Sequence, residues 1–178
     1  MSSSRPQLGL IGFGAFGRLT ARHLSHWFDI LAHDPAVSDG EGLARLTTLE
    51  EAAACPVVVL AVPVGVLAQT VEAIAPSVTP GALILDVGSV KVKPAKVMLE
   101  GLPEGVEIVG THPLFGPQSG KDGIAGLRIA VCPVRGGKAA WRVAAFCRKV
   151  LGLKVFVVTP EDHDREAATV QGLTHLIA

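Results

Sequence analysis

Short apolar runs alternate along the chain with longer stretches in which apolar residues recur every three or four positions. The first run, "LGLIG" (8–12), is apolar throughout, as a strand buried on both faces of a sheet should be. In "AFGRLTARHLSHW", Phe16, Leu19, Thr20, His23, Leu24 and Trp27 share one helical face, which predicts a helix reaching Trp27. "FDILAH" (28–33) is the next strand, followed by a polar loop and a short helix around 48–54. "PVVVLAV" (56–62), "ALILDV" (82–87) and "VEIVG" (106–110) are further strands, separated by the helical stretches "GVLAQTVEAIAPSV" and "KPAKVMLEGL". "LRIAVCP" (127–133) and "KVFVVT" (154–159) flank the helix "KAAWRVAAFCRKVLG", for which Gly152 is the expected C-cap. A last helix starts at Thr159 as N-cap, with Pro160 in the first helical position and Glu161 and Asp162 at its positive end. This alternation predicts an α/β fold, a doubly wound, mostly parallel sheet covered on both faces.

Composition narrows what such a sheet can serve. The chain has 178 residues, enough for one packed domain, and 49% of them are apolar. Lys plus Arg and Asp plus Glu both number 16, with no like-charge run, so a nucleic-acid or membrane partner is not expected. Cys55, Cys132 and Cys147 are odd in number and widely spaced, which argues against disulfides or a zinc site and for a reducing compartment. "MSSSRPQ" does not read as a signal peptide, and the most apolar segment is broken by Pro63 and Gly65. A soluble, cytoplasmic protein is expected. The last helical pattern has no terminating signal, as expected of a piece of a longer protein.

The candidate chemistry gathers at the ends of the parallel strands. "GLIGFGAFG" places Gly12, Gly14 and Gly17 as G-x-G-x-x-G between a strand and a helix. Gly12 permits the tight turn, Gly14 lets backbone approach a pyrophosphate, and Gly17 lets helix and strand pack closely. Asp34, at the end of the second strand, suits the ribose hydroxyls and repels a 2′-phosphate, favouring NAD over NADP. It equally suits an Asp-Pro turn, and a protonated His33 beside it would welcome a phosphate. "AVPVG" (61–65), "DVGSVK" (86–91) and "GTHPLFGPQSG" (110–120) follow the other strands of the same edge. His112 there is expected where the strand gives way to a loop, either as an acceptor for a substrate proton or as a plain loop histidine. Ser89 is either a hydroxyl beside it or the cap of the helix that follows. Lys91 is available to an anionic substrate.

"GFGAFG", "DVGSVK", "THPLFGPQSG" and "EDHDREAATVQGLTH", in this order and spacing, resemble the prephenate/arogenate dehydrogenases of tyrosine biosynthesis. The branch most similar includes plant arogenate dehydrogenases and bifunctional enterobacterial enzymes. The resemblance implies NAD-dependent oxidative decarboxylation of prephenate to 4-hydroxyphenylpyruvate or of arogenate to tyrosine, with His112 and Ser89 as catalytic residues. It implies cofactor contacts from Gly12, Phe13, Gly14, Ala15, Phe16, Gly17, Asp34, Val62, Pro63 and Ser89. Substrate contacts are implied for Ser89, His112, Gln118 and His175, with no metal, while His163 and Asp164 read as structural. Residues 1–158 would form the dinucleotide-binding domain. Residues 159–178 would start toward a helical domain, not contained in these 178 residues, that makes a homodimer and completes the substrate pocket. The alternatives are a reductase of the β-hydroxyacid or imine type and a non-catalytic NAD(H)-binding module.

Overall fold

The chain runs β1 (Gln7–Ile11), α1 (Ala15–Leu24), β2 (Asp29–His33), β3 (Arg45–Leu46), α2 (Leu49–Ala53), β4 (Val57–Leu60), a 3-10 turn (Val64–Val66) and α3 (Leu67–Ile74). It continues through β5 (Leu83–Asp86), α4 (Val92–Gly101), β6 (Glu107–Pro113), β7 (Arg128–Arg135), α5 (Ala139–Lys149), β8 (Lys154–Val157) and α6 (Pro160–Leu176). This computed structural model describes residues 5–176, and side chains as far as Thr169. The strands form one sheet in the order β3-β2-β1-β4-β5-β6-β7-β8. β1 to β6 are parallel, β7 is antiparallel to β6, and β8 is parallel to β7. This is the predicted doubly wound α/β fold.

The apolar runs are uninterrupted because both faces of the sheet are covered. On β4, Val58 and Leu60 join Ile11, Ile84, Ile108 and Met98 in the core beneath α2, α3 and α4. Val59 points the other way, with Leu8, Leu10, Phe13 and Ile30 beneath α1. Each fully buried Val, Leu or Ile contributes about 1.5–3 kcal/mol, so these two layers hold the sheet together. Between α1 and α5 the second layer is thin. An apolar cavity of about 280 Å³ remains there, floored by Val57, Val59, Leu83 and Leu85.

Three boundaries differ from the sequence reading. α1 stops at Leu24, and Trp27 sits beyond it, 48% exposed. Arg5 ends the helix, because its guanidinium donates to the Ser25 carbonyl at 2.6 Å and pairs with Asp29 at the start of β2. β3 was not foreseen, since two residues carry no periodicity. β6 runs on to Pro113, so His112 lies within a strand and not at the start of a loop. Antiparallel β7 supplies the reason: its register carries pairing through His112↔Ala130 to Pro113↔Ile129. The ladder shifts only at Ile108/Val109, opposite Pro133, which lacks an N–H to donate.

Gly9 marks the closest approach of two elements. A Cβ there would lie 1.9 Å from the Ala52 carbonyl oxygen of α2, a backbone atom that cannot swing aside. Gly9→Ala is expected to cost about 2–3 kcal/mol, lowering the melting temperature by about 4–12 °C. An unchanged melting curve would show that α2 yields freely.

Candidate active site

The glycine loop divides its labour between fold and ligand. Gly12 has φ +97°, and a Cβ on it would lie 2.4 Å from the Ala61 carbonyl oxygen, so the turn requires glycine. A Cβ on Gly17 would lie 2.2 Å from the Gly12 oxygen, which is the close helix–strand contact expected of it. Around Gly14 nothing lies within 4 Å. The space is open at the N-terminus of α1, where unpaired N–H groups and the positive helix end suit a pyrophosphate. A dinucleotide therefore fits this loop. Ala15 is exposed and Phe16 half-buried there, while the Phe13 ring is wholly buried. The Phe13 N–H donates to Asp34 at 2.8 Å.

Asp34 serves both readings offered by the sequence. One carboxylate oxygen accepts from Phe13 and the other from the Ala36 N–H at 2.9 Å, which closes the Asp-Pro turn. Each bond uses one lone pair, and each oxygen keeps capacity for a ribose hydroxyl. The nearby basic side chains are engaged elsewhere. His33 Nδ1 is 3.1 Å from the Thr47 carbonyl oxygen, and Arg18 pairs with Glu41 at 2.7 Å. Val62 is half-buried and Pro63 exposed on the loop after β4.

β5 and β6 are neighbours, so the Ser89 loop and His112 rise from adjacent strands. Lys91 is not available to a substrate, in contrast to the expectation. It is 1% exposed, its ammonium paired with Asp86 and donating to the Thr111 carbonyl at 2.6 Å. Gly110 makes room for it, since a Cβ there would come within 3.2 Å of Lys91 Cδ. Burial pushes the Asp86 carboxyl up and the Lys91 ammonium down, each opposed by its partner's charge. Asp86 also accepts from the Gly88 N–H at 2.9 Å, and its backbone carbonyl accepts from the Thr111 hydroxyl at 2.6 Å. The pair is thus a strut under the Ser89 loop.

Ser89 is exposed and does not cap α4, whose N-cap residue is Lys91 with no side-chain cap of its own. The cap comes from far along the chain. Asp164, in the first turns of α6, accepts from the Lys91 N–H at 2.7 Å and the Val92 N–H at 3.0 Å. Burial alone would raise the Asp164 carboxyl, but the Val92 N–H, the His163 ring and the Lys91 N–H hold it below its ordinary value.

The same turn of α6 brings a partner to His112. His163 is 6% exposed, with Nε2 2.9 Å from His112 Nδ1 and its own Nδ1 2.8 Å from Asp164 Oδ1. The two rings meet edge to face, centroids 5.1 Å apart. Burial, then His163 and Lys91, lower the His112 pKa to about 4, against a small opposing pull from Asp164. His112 is therefore neutral near pH 7. His163 and Asp164, which read as structural in the sequence, belong to this constellation. Their only local signal was a His-Asp pair just inside a capped helix; the partner stands 51 residues away. Gln118 is exposed on the loop after β6, and the His175 side chain lies outside the described residues.

An open glycine cradle on a doubly wound sheet, with a neutral histidine at the edge of the adjoining strands, defines a Rossmann-like nucleotide-binding domain. The family described as prephenate dehydrogenase, nucleotide-binding domain, matches residues 32–128. The chain belongs to that family. It is 32% identical over 175 residues to a probable arogenate/prephenate dehydrogenase of Methanocaldococcus jannaschii, covering 92% of this chain and 39% of that protein. It is 32% identical over 187 residues to arogenate dehydrogenase 2, chloroplastic, of Arabidopsis thaliana, covering 97% and 52%. These relatives are about two to two and a half times the length that the chain spans. A crystal structure of prephenate dehydrogenase from A. aeolicus, in complex with hydroxyphenyl propionate and NAD+, superposes with a TM-score of 0.73 at 22% identity, covering 92% of this chain and 63% of that one.

The two candidate caps of α4 separate by mutation. Asp164→Ala is expected to cost about 1–2 kcal/mol, whereas Ser89→Ala should stay within about 0.5 kcal/mol of the parent. The Asp164 carboxyl is lowered on folding, so its contribution is full above the ordinary carboxylate range and fades as pH falls through its lower folded value. Equal losses for the two variants in urea titrations would return the cap to Ser89.

Proposed function

We propose that this domain serves NAD-dependent oxidative decarboxylation of prephenate or arogenate in tyrosine biosynthesis, with His112 as the proton acceptor. The observation that carries it is the half-buried, neutral imidazole of His112 on β6, beside the Ser89 loop and on the sheet edge that bears the glycine cradle. Gly12, Gly14, Ala15, Phe16 and Gly17 would hold the pyrophosphate. Asp34 would accept from the ribose, and Val62, Pro63 and Ser89 would border the nicotinamide end. When bound, the nicotinamide supplies the hydride acceptor. His112 would take a hydrogen bond and then the proton from the substrate's ring hydroxyl, while CO₂ leaves and the ring aromatises. Ser89, freed from capping, would hold that hydroxyl in line, and Gln118 and His175 would border the substrate.

NAD is favoured over NADP because Asp34, at the end of β2, would accept from the ribose hydroxyls and repel a 2′-phosphate, while Arg18 is already paired with Glu41. Among the described residues no helix is long and apolar enough to cross a membrane. The three cysteines are buried free thiols, in keeping with a cytoplasmic protein. A homodimer of the longer protein belongs to the same reading, as do the small-molecule substrates.

Two measurements test this. Fluorescence titration should show tighter binding of NADH than of NADPH, and Gly14→Val should bind neither while keeping its melting temperature, because no atom of the fold occupies that space. Equal affinities would overturn the role of Asp34 in excluding a 2′-phosphate, and binding retained by Gly14→Val would place the pyrophosphate elsewhere. In the protein that carries this domain, His112→Asn should keep NAD affinity and lose about 10²- to 10⁴-fold in turnover of prephenate or arogenate. The neutral ring is the active form and its pKa is lowered to about 4, so activity should persist as pH falls past 6.5 toward that value. An acidic limb at 6.5 or above, or turnover within a few-fold of the parent, argues against His112 as base. NADH binding with no turnover of either compound would favour a non-catalytic module.

A further inference from the structure

The donors and acceptors around His112 form a chain in which each assignment forces the next. It begins at Asp164, whose carboxylate sits at the positive end of α4 and accepts two backbone N–H groups. An ionised carboxylate has no proton to give, so the 2.8 Å contact from His163 requires the proton on His163 Nδ1. A neutral His163 then presents a lone pair at Nε2. The 2.9 Å contact between that nitrogen and His112 Nδ1 is a hydrogen bond only if His112 Nδ1 carries a proton. A neutral His112 with its proton on Nδ1 has a bare Nε2. That nitrogen has no hydrogen-bond partner among the described residues, although the ring is half-buried.

The one competing assignment protonates His163 fully and reverses the His112 bond. It would place a positive charge on a ring that is 6% exposed and faces the Asp164 carboxylate at 2.8 Å. In that assignment His112 would carry its proton on Nε2, so the nitrogen shifts described below separate the two directly. The other ionisable groups packed around this point are Asp86 on β5, Cys132 on β7 and Glu161 on α6. Asp86 is matched by Lys91, and burial first, with carboxylates opposing Lys91, pushes the Cys132 thiol up to about 12, so neither adds an unmatched charge.

We propose that His163, held by Asp164, is a positioning residue that locks the tautomer of His112 and leaves Nε2 as the lone pair offered to the substrate hydroxyl. The lock matters because a free imidazole in water mostly carries its proton on Nε2, the wrong nitrogen for a base at that face. Without it, most of the His112 population would present a donor where an acceptor is needed. Geometry adds to the effect: a ring bonded through Nδ1 and packed edge to face cannot turn about its χ2 axis without losing both contacts. No proton needs to travel down the chain. His163 takes only a hydrogen bond, and Asp164 keeps its charge throughout, so the step itself remains a one-proton transfer from substrate oxygen to His112 Nε2.

The inference rests on the proposed function for what Nε2 does, but the tautomer can be read without turnover. In ¹⁵N-labelled protein at neutral pH, the imidazole nitrogen shifts should show His112 protonated at Nδ1 and bare at Nε2, and His163 protonated at Nδ1. His163→Leu removes the acceptor, so His112 should revert to the Nε2–H form. His163→Gln, whose side-chain carbonyl can accept from Nδ1, should restore part of the Nδ1–H population. In the protein that carries this domain, His163→Leu should lower kcat by about 10- to 100-fold with little change in the KM for NAD, and Gln should recover part of it. If the parent protein shows His112 with its proton on Nε2, the lock does not exist, whatever the variants do; this also holds if His163→Leu fails to fold. If the shifts are as expected but neither prephenate nor arogenate is turned over, the lock stands and the proposed reaction falls.

Discussion

The arrangement depends on one carboxylate. Asp164 lies on the helix that leaves the sheet, 73 positions from Lys91 whose N–H it accepts. It does the work of an N-cap for α4, and it also accepts from His163. With the His163–His112 contact, those bonds join three elements with no sequence proximity: the Ser89 loop, strand β6 and helix α6. A local cap such as Ser89 would have satisfied α4 equally well. It would have tied nothing else down, and it would have used the hydroxyl that stands nearest His112 in the sheet order. Placing the cap on α6 leaves Ser89 free and puts His163 against His112.

Beneath this sits the Asp86–Lys91 pair, closed off from water. Burying two charges is costly, and such pairs seldom add net stability over an apolar filling. Its merit here is directional. The Lys91 ammonium bonds Asp86 and the Thr111 carbonyl, and Asp86 bonds Gly88, so the ends of β5 and β6 and the loop between β5 and α4 share one set of bonds. A Leu–Val pair of the same volume would fill the space but would leave the loop free to choose its height over the sheet. Gly110 belongs to the same device, because a Cβ there would crowd the lysine stem at 3.2 Å. Among the described residues Asp86 Oδ1 is buried without a partner, the residual cost of the arrangement.

The chain belongs to the family of prephenate dehydrogenase nucleotide-binding domains and spans 39% and 52% of the two curated relatives described above. The glycine loop shows how such a domain is built. Two of its three motif glycines are required by atoms of the fold itself, and the third by nothing among the described residues. The position left empty is where a ligand's phosphates would complete the packing.

Much of this was legible in the sequence because it depends on local periodicity or on short-range backbone geometry. Apolar runs of five to seven residues read as doubly buried strands whatever their order in the sheet. G-x-G-x-x-G and the Thr159-Pro160 start of α6 are both settled within a few residues. The antiparallel turn of β7 was different. Its apolar run looks the same in either direction, yet direction alone extended β6 and moved His112 from a loop into a strand. Lys91 read as a free cation because its burial is decided by Asp86 across the β5 loop and by the missing side chain at Gly110. His163 and Asp164 read as structural because their partners stand 51 and 73 positions away, and a hydrogen bond at that range leaves no pattern in a single chain. Local chemistry in the sequence thus determined which residues could act. Which of them meet, and with which atom facing outward, was decided by the packing of α6 against the edge of the sheet.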